Sequence, residues 1–215
     1  MEQSAETKIL KIKLKEAILL AEKAHDGQTD KAGQPYFMHP QAVRKIVGDM
    51  IYKWHGNDEA YEALFIKAEI VSLLHDVVED TDLTISDLAD YGVPYDCIEA
   101  IKKLTKVDGQ GHEDYLTRIK SDKLATLVKI ADMTHNSDLT RLTTVTPQDL
   151  ARQEKYQKDI QILGTFQCAR CKQIKHVSQL GDKPTYTDLP LCASCVDKYE
   201  IEHDEYEEWI ERRSR

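Results

Sequence analysis

The sequence predicts an all-α helical bundle with a small cysteine-rich appendage at its C-terminal end. Three observations carry that expectation. Up to about residue 164, apolar residues recur at helical spacing between polar breaks, with very little strand-like alternation. A hydrophobic content of 41% over 215 residues supplies one good core and little more. Beyond that point two C-x-x-C pairs, Cys168 with Cys171 and Cys192 with Cys195, change the texture of the chain. The expected division is therefore 1–164 and 165–215.

Each helix has its own signal. Ile9, Ile12, Ala17, Leu20 and Ala24 mark a first amphipathic helix that ends around His25-Asp26-Gly27. Pro40 suits the first turn of a second helix through Val43, Ile46 and Val47, which leaves His39 at its N-terminal edge, where a side chain can project into a cleft. A third helix is expected from about Asp58 to His75. It is apolar on several faces through Leu64, Phe65, Ile66, Ile70, Val71, Leu73 and Leu74, as a central buried helix is. Thr84 to Tyr91, closed by Gly92, and Pro94 to Leu104 read as two more, followed by a loop at Val107-Asp108-Gly109-Gln110-Gly111. His112 to Lys120 and Leu124 to Asn136 continue the bundle, and Thr146-Pro147 caps a last helix that stops at Gly164. Cys97, alone in a helix, reads as a small core residue.

Charge and cysteine usage bound the function. A net charge of −9 and a pI near 5.4 make the molecule as a whole repel phosphate backbones and anionic membranes, so a nucleic-acid partner would need a local basic patch. No apolar run approaches the ~20 residues of a membrane span, and the start of the chain lacks the apolar region of a secretory signal. The expectation is a cytoplasmic protein, where thiols stay reduced and paired cysteines hold metal. Four thiolates from Cys168, Cys171, Cys192 and Cys195 satisfy a tetrahedral structural Zn2+ site, and the twenty residues between the pairs leave room for the small hairpin of a zinc ribbon. His176 and His203 could each replace a thiolate, but four cysteines leave no vacancy. Zinc ribbons often dock nucleic acids, including tRNA. Here the acidic tail Glu200, Glu202, Asp204, Glu205, Glu207 and Glu208 opposes that, and a protein-interaction or stability role is the preferred reading.

The chemistry-bearing signal is the run HDVVEDT. The segment from 75 to 82 holds Asp76, Glu79, Asp80 and Asp82 against no Lys or Arg, and like charges three and four apart on a helix repel unless a dication relieves them. If the segment is helical, His75 shares a face with Glu79 and Asp76 with Asp80, so one pair can hold a metal while the next turn holds water. Asp132, flanked by Leu127, Val128, Ile130, Ala131 and Met133, is expected to be buried, and Asn136 shares its face. A carboxylate simply paired with Lys129 is the structural alternative for Asp132. His25 reads as a helix terminator, and His55, His112 and His135 default to surface or structural roles.

Four blocks make a family resemblance specific: AHDGQTDKAGQPYFMHP at 24–40, LLHDVVEDT at 73–81, KKLTK at 102–106 and KIADMTHN at 129–136. In this order and spacing they resemble the signature blocks of the Rel/Spo alarmone hydrolases, whose HD domain is an all-helical fold. The resemblance covers roughly 5–164 and leaves the cysteine pairs outside. It implies that His39, His75, Asp76 and Asp132 hold one metal ion, usually manganese. It also implies that Glu79 and Asp80 position and deprotonate the attacking water, and that Lys31 and Asn136 contact the nucleotide. The implied activity is release of the 3′-pyrophosphate of (p)ppGpp, a signal of the stringent response.

Two departures bear on the substrate. Where the family carries a basic pair, this chain has Asp30-Lys31, and where the family continues after Asn136 with a basic residue, this chain has Asp138, with Thr140 and Arg141 displaced. Asp30 could accept hydrogen bonds from a base edge or lie in solvent, the latter being the expectation. Asp30, Thr140 and Arg141 are therefore counted with the substrate-binding candidates. The alternatives to (p)ppGpp are another 3′- or 2′-phosphorylated nucleotide, or a tRNA 3′ end docked by the zinc ribbon.

Overall fold

The protein is described by a computed structural model covering residues 4–55, 59–167 and 174–177. Helix α1, Ala5–Ala24, starts where the Ser4 hydroxyl accepts from the Thr7 amide and ends at His25. Gly27 then takes a left-handed φ of 77°, which turns the chain towards the cleft loop. Helix α2 spans Met38–His55 with Pro40 in its first turn. A 3-10 turn at Glu59–Tyr61 leads into α3, Glu62–Leu74.

The third helix ends within one residue of the expected His75, and HDVVEDT does not continue it, so the shared helical face considered for His75 with Glu79 does not form. The helix stops at Leu74, His75 and Asp76 form a turn, and a new short helix, α4, runs Val77–Asp80. The Nδ1 of His75 bonds back to the Ser72 carbonyl at 2.7 Å, so the side chain satisfies a carbonyl that the terminating helix leaves unpaired.

Beyond it, α5 (Ile85–Asp90) and α9 (Pro147–Leu163) each open with a reciprocal capping box, Thr84 with Asp87 and Thr146 with Asp149. Between them lie α6, Tyr95–Leu104, α7, His112–Lys120, and α8, Lys123–Asn136, which the Asp122 side chain caps. The central pair is α3 and α8. Ile70, Val71, Leu73 and Leu74 of the one, and Ala125, Leu127, Val128 and Ala131 of the other, are fully buried. Because α3 packs on α1, α2, α6 and α8, its C-terminal end lies deep in the bundle. Among the described residues no helix is long and apolar enough to cross a membrane.

Helix gives way to strand at Thr165. Strands β1, Thr165–Gln167, and β2, Ile174–His176, pair antiparallel with Thr165 opposite His176. A hairpin was expected between the two cysteine pairs. This one flanks the first pair in sequence, and Cys168, Cys171, Cys192 and Cys195 lie outside the described residues. The hairpin is not loosely attached. Val177 is only 2% exposed within the helical core, its amide donates to the Gly164 carbonyl at 3.0 Å, and the His176 ring meets Trp54 of α2 edge-on at 5.1 Å. Val177→Ala should therefore destabilise the helical body by about 2 kcal/mol through the cavity it leaves. The check is a lower midpoint in helix-monitored thermal unfolding; an unchanged midpoint would mean that the hairpin folds independently of the bundle.

Candidate active site

Three segments converge on one point. His39 enters from the first turn of α2, His75 and Asp76 from the turn that ends α3, and Asp132 from the buried face of α8. His39 Nε2 lies 3.3 Å from Asp76 Oδ2 and 3.3 Å from Asp132 Oδ1. His75 Nε2 lies 3.1 Å from Asp76 Oδ2 and 3.9 Å from Asp132 Oδ1. A divalent ion with bonds of about 2.1 Å separates adjacent ligands by about 3.0–3.4 Å in octahedral or tetrahedral geometry. The spacings of Asp76 to both histidines fall in that window, and His39, His75 and Asp76 form a group that could hold one ion, while Asp132 stands beside it, 3.3 Å from His39 and 3.9 Å from His75.

The state of His75 decides whether the donors fit a cation. Its Nδ1 is committed to the Ser72 carbonyl, which leaves Nε2 buried with no hydrogen-bond partner, facing Asp76 and Asp132. Aiming a lone pair at two carboxylates is unfavourable unless a cation stands between them. Burial alone would push the His75 imidazole down, but Asp76 and Asp132 reverse this and raise it to about 10. His39 is likewise raised by Asp132 and Asp76 against the opposing effect of burial. Burial pushes the carboxyls of Asp76 and Asp132 up, yet the facing histidines, with Lys129 beside Asp132, hold both well below the usual carboxylate range. The field here favours positive charge, whether proton or metal.

Further contacts fix these side chains. Asp132 is paired with Lys129, the structural alternative for it, with Oδ2 accepting from Lys129 Nζ at 2.8 Å, while Oδ1 faces the histidines and accepts from Asn136 Nδ2 at 2.6 Å. Nδ1 of His39 meets Nδ1 of His135 at 2.8 Å. His135 was assigned a default surface or structural role from sequence. Instead it is half-buried beside a candidate ligand, and Arg141 Nη1 approaches its Nε2 to 2.6 Å. Burial, Arg141 and His39 together lower His135 to about 4, so it stays neutral, and its single unprotonated nitrogen accepts from either His39 or Arg141, not from both at its two nitrogens.

The cleft above the four donors has a volume of about 370 Å³. Glu79 and Asp80 line it from α4. Lys106 holds Glu79 through its backbone amide, at 2.5 Å, and its Nζ, at 3.4 Å. Tyr36 donates to this side of the site, with Oη 2.7 Å from Asp76 Oδ2 and 2.9 Å from Asp80 Oδ2. Asp30, Lys31, Asn136 and Arg141 also line the cleft. Asp30 does not lie in solvent. Its Oδ1 accepts from the amides of Ala32 and Gln34, and its Oδ2 lies 3.4 Å from Arg141 Nη2. Lys31 approaches Asp149 to 3.9 Å, the carboxylate that also pairs with Arg152 at 2.6 Å. Thr140 is exposed, turns its hydroxyl onto Asp138 at 2.6 Å, and is not among the lining residues.

Sequence reasoning passed over Tyr36, Lys106, Arg152 and Tyr156, all on the cleft wall. Tyr36 could have been found as the residue three before His39. Arg152 has only a spacing of three from Asp149 to mark it. His25 ends α1 as expected, its Nδ1 2.9 Å from Gln28 Oε1 and its ring against that of Tyr36.

Comparison with known proteins adds to this geometry. No family model matches the chain. The bifunctional (p)ppGpp synthase/hydrolase SpoT of Escherichia coli (strain K12) is 33% identical over 134 residues, 58% of this chain and 17% of that protein. A guanosine-3′,5′-bis(diphosphate) 3′-pyrophosphohydrolase of Vibrio cholerae is 30% identical over 133 residues, 57% of this chain and 17% of that protein. The chain thus spans under a fifth of the length of these relatives. A solved structure described as a metazoan ortholog of SpoT that hydrolyzes ppGpp and plays a role in starvation responses superposes with a TM-score of 0.51. It is 23% identical, over 76% of this chain and 87% of that one. The chain shares the fold of that ortholog. Its sequence similarity is to SpoT-type enzymes, and that similarity, with the donor set above, implies a divalent cation.

The histidine shifts have a measurable consequence. A group raised on folding contributes stability that is fully present below its unfolded value, 6.5 for His75, and lost as pH rises towards about 10. Protein stripped of divalent ions should therefore lose thermal stability between about pH 6.5 and 10. Added divalent ion, which needs neutral imidazole, should bind more tightly over the same range. Calorimetric melts with and without chelator check both; a pH-independent midpoint would remove the histidine pair from the cation site.

Proposed function

We propose that this chain is a metal-dependent phosphohydrolase that removes the 3′-pyrophosphate of (p)ppGpp or a closely related alarmone nucleotide. The observation that carries the reading is the convergence of His39, His75, Asp76 and Asp132 under a cleft walled by Glu79 and Asp80. Manganese is the ion proposed for these four ligands. When bound, it supplies a Lewis acid for a phosphoryl oxygen and lowers the pKa of water at the site.

The residues of the chain do the rest. Glu79 and Asp80 orient the attacking water and take its proton. Lys106 keeps the Glu79 carboxylate from swinging into solvent. Although the molecule carries a net charge of −9, its cleft gathers Lys31, Lys106, Lys129, Arg141 and Arg152. These cations receive a polyanionic nucleotide, Lys129 nearest the reacting phosphate because it pairs with the ligand Asp132. Asn136, with one amide hydrogen on Asp132, has its remaining groups for the substrate, and Lys31 and Arg141 line the same cleft. Asp30 acts on the substrate by holding Arg141.

The decisive substitutions separate binding from turnover. Asp132→Ala should abolish manganese binding and hydrolysis together. Glu79→Gln should keep the metal while turnover falls by about 100-fold. Manganese titration and pyrophosphate release from a panel of 3′-pyrophosphorylated guanine and adenine nucleotides measure both effects. Activity retained in Asp132→Ala would overturn the ligand assignment, and a manganese-loaded wild type inert on the whole panel would overturn the substrate class.

For 165–215 the proposal is a structural zinc held by Cys168, Cys171, Cys192 and Cys195, in a module that serves protein contact or stability. Cys168→Ser combined with Cys195→Ser should release about one zinc per chain, detected with a chromophoric chelator, while the helical body stays folded. Loss of nucleotide hydrolysis in a folded double variant would place the module in the active site instead.

A further inference from the structure

The hydroxyl of Tyr36 stands between two carboxylates to which the proposed function gives different duties. Oη is 2.7 Å from Asp76 Oδ2, the oxygen that faces both histidines, and 2.9 Å from Asp80 Oδ2, on the side where water is to be activated. A phenol has one hydrogen, so only one of these contacts can be a full hydrogen bond at a time. The ring has little freedom to choose a third partner. It lies between the rings of His25, at 4.7 Å, and His39, at 5.7 Å, and the Tyr36 amide donates to the Gln28 carbonyl. The same Gln28 ties down the far side of Asp80, its Nε2 donating to the Asp80 carbonyl at 2.8 Å. The α1–α2 loop therefore grips Asp80 by both backbone and side chain.

We infer that Tyr36 is a positioning residue that couples the metal ligands to the water-activating carboxylate through its single hydroxyl hydrogen, an inference that rests on the function proposed above. Once Asp76 Oδ2 is committed to a cation it is the poorer acceptor, and the hydrogen turns to Asp80 Oδ2. Asp80 is then fixed by that oxygen, and its Oδ1 is left to receive the proton of the attacking water. Without a cation on Asp76, the hydrogen remains shared between the two carboxylates, and the Asp80 side chain is held less firmly. Loading of the site and alignment of the base become one event.

Tyr36→Phe removes the hydroxyl and keeps the ring between its two histidines. On the manganese-loaded enzyme kcat should fall about 30-fold with KM little changed, because the substrate contacts are untouched while the base is no longer aligned. A second measurement is independent of turnover. Asp80→Asn weakens the acceptor at Asp80 and returns the phenolic hydrogen to Asp76 Oδ2, where it competes with the cation. Manganese affinity should therefore drop further for Asp80→Asn in the wild-type background than in the Tyr36→Phe background, by about threefold in a cycle read by electron paramagnetic resonance. Additive effects on manganese affinity would overturn the coupling even if hydrolysis is lost. A wild type without hydrolytic activity but with the non-additive cycle would overturn the proposed function and leave the coupling standing. Full turnover in folded, metal-loaded Tyr36→Phe would end the positioning role.

Discussion

The burial of Asp132 on α8 is the constraint from which the rest of the site follows. Only 5% exposed and fully flanked by Leu127, Val128 and Ala131, an isolated carboxylate there would lose several kcal/mol of hydration. Its oxygens are instead divided, Oδ2 to Lys129 and Oδ1 to Asn136 and the two histidines. One lysine neutralises one charge, and Asp76 adds a second negative charge to the same pocket. The balance has to come from the histidines as imidazolium or from a cation between them. Helices α2 and α3 both pack on α8, which places the first turn of the one and the end of the other beside Asp132.

A second consequence is the break in α3. Nothing in the local sequence forbids a continuous helix through HDVVEDT, and Val77-Val78 is a mild disincentive at most. The helix stops because the His75 ring turns back on the Ser72 carbonyl. That one bond both satisfies a terminal carbonyl and aims Nε2 at the carboxylates. Restarting as α4 then carries Glu79 and Asp80 onto the cleft wall, where Lys106 and Tyr36 receive them. A continuous helix would keep His75 in register with Glu79. The turn separates the donor set from the acidic pair, which suits one for an ion and the other for water.

The same contrast explains what could be read from the sequence. Helices α6, α7 and α9 were legible because periodicity and terminators agree, Thr146-Pro147 and Gly164 bounding α9 as chain-local signals do. His39, His75 and Asp76 were legible as candidates because histidines and carboxylates gather at helix ends without a basic partner, and the fold brings their donor atoms together. Tyr36 was not, since its partners Asp76 and Asp80 stand 40 and 44 residues away. His135 was hidden in the same way, 96 residues from His39, and only the fold lays the two rings together. Thr140 misled in the opposite direction. The resemblance of the segment after Asn136 placed it in the site as a displaced motif residue, while its hydroxyl is taken by Asp138 two residues before it.

The two departures from the alarmone-hydrolase pattern answer each other. Asp30 puts an anion in the first block where the family has a cation, and taken alone that change would repel a nucleotide phosphate. The segment after Asn136 supplies Arg141, whose Nη2 lies 3.4 Å from Asp30 Oδ2 on the cleft wall. The pair leaves that wall with no net charge from its two members, and one guanidinium still faces the cavity, held by Asp30 on one side and the His135 ring on the other. A cation anchored at both ends loses less conformational entropy on meeting a ligand than an arginine free in a loop. A guanidinium at position 30 in place of the aspartate would face Arg141 across the same gap without a counter-charge. The basic residue of that pattern therefore cannot be restored there one position at a time, because Arg141 already supplies a cation on the same wall and Asp30 is its counter-charge.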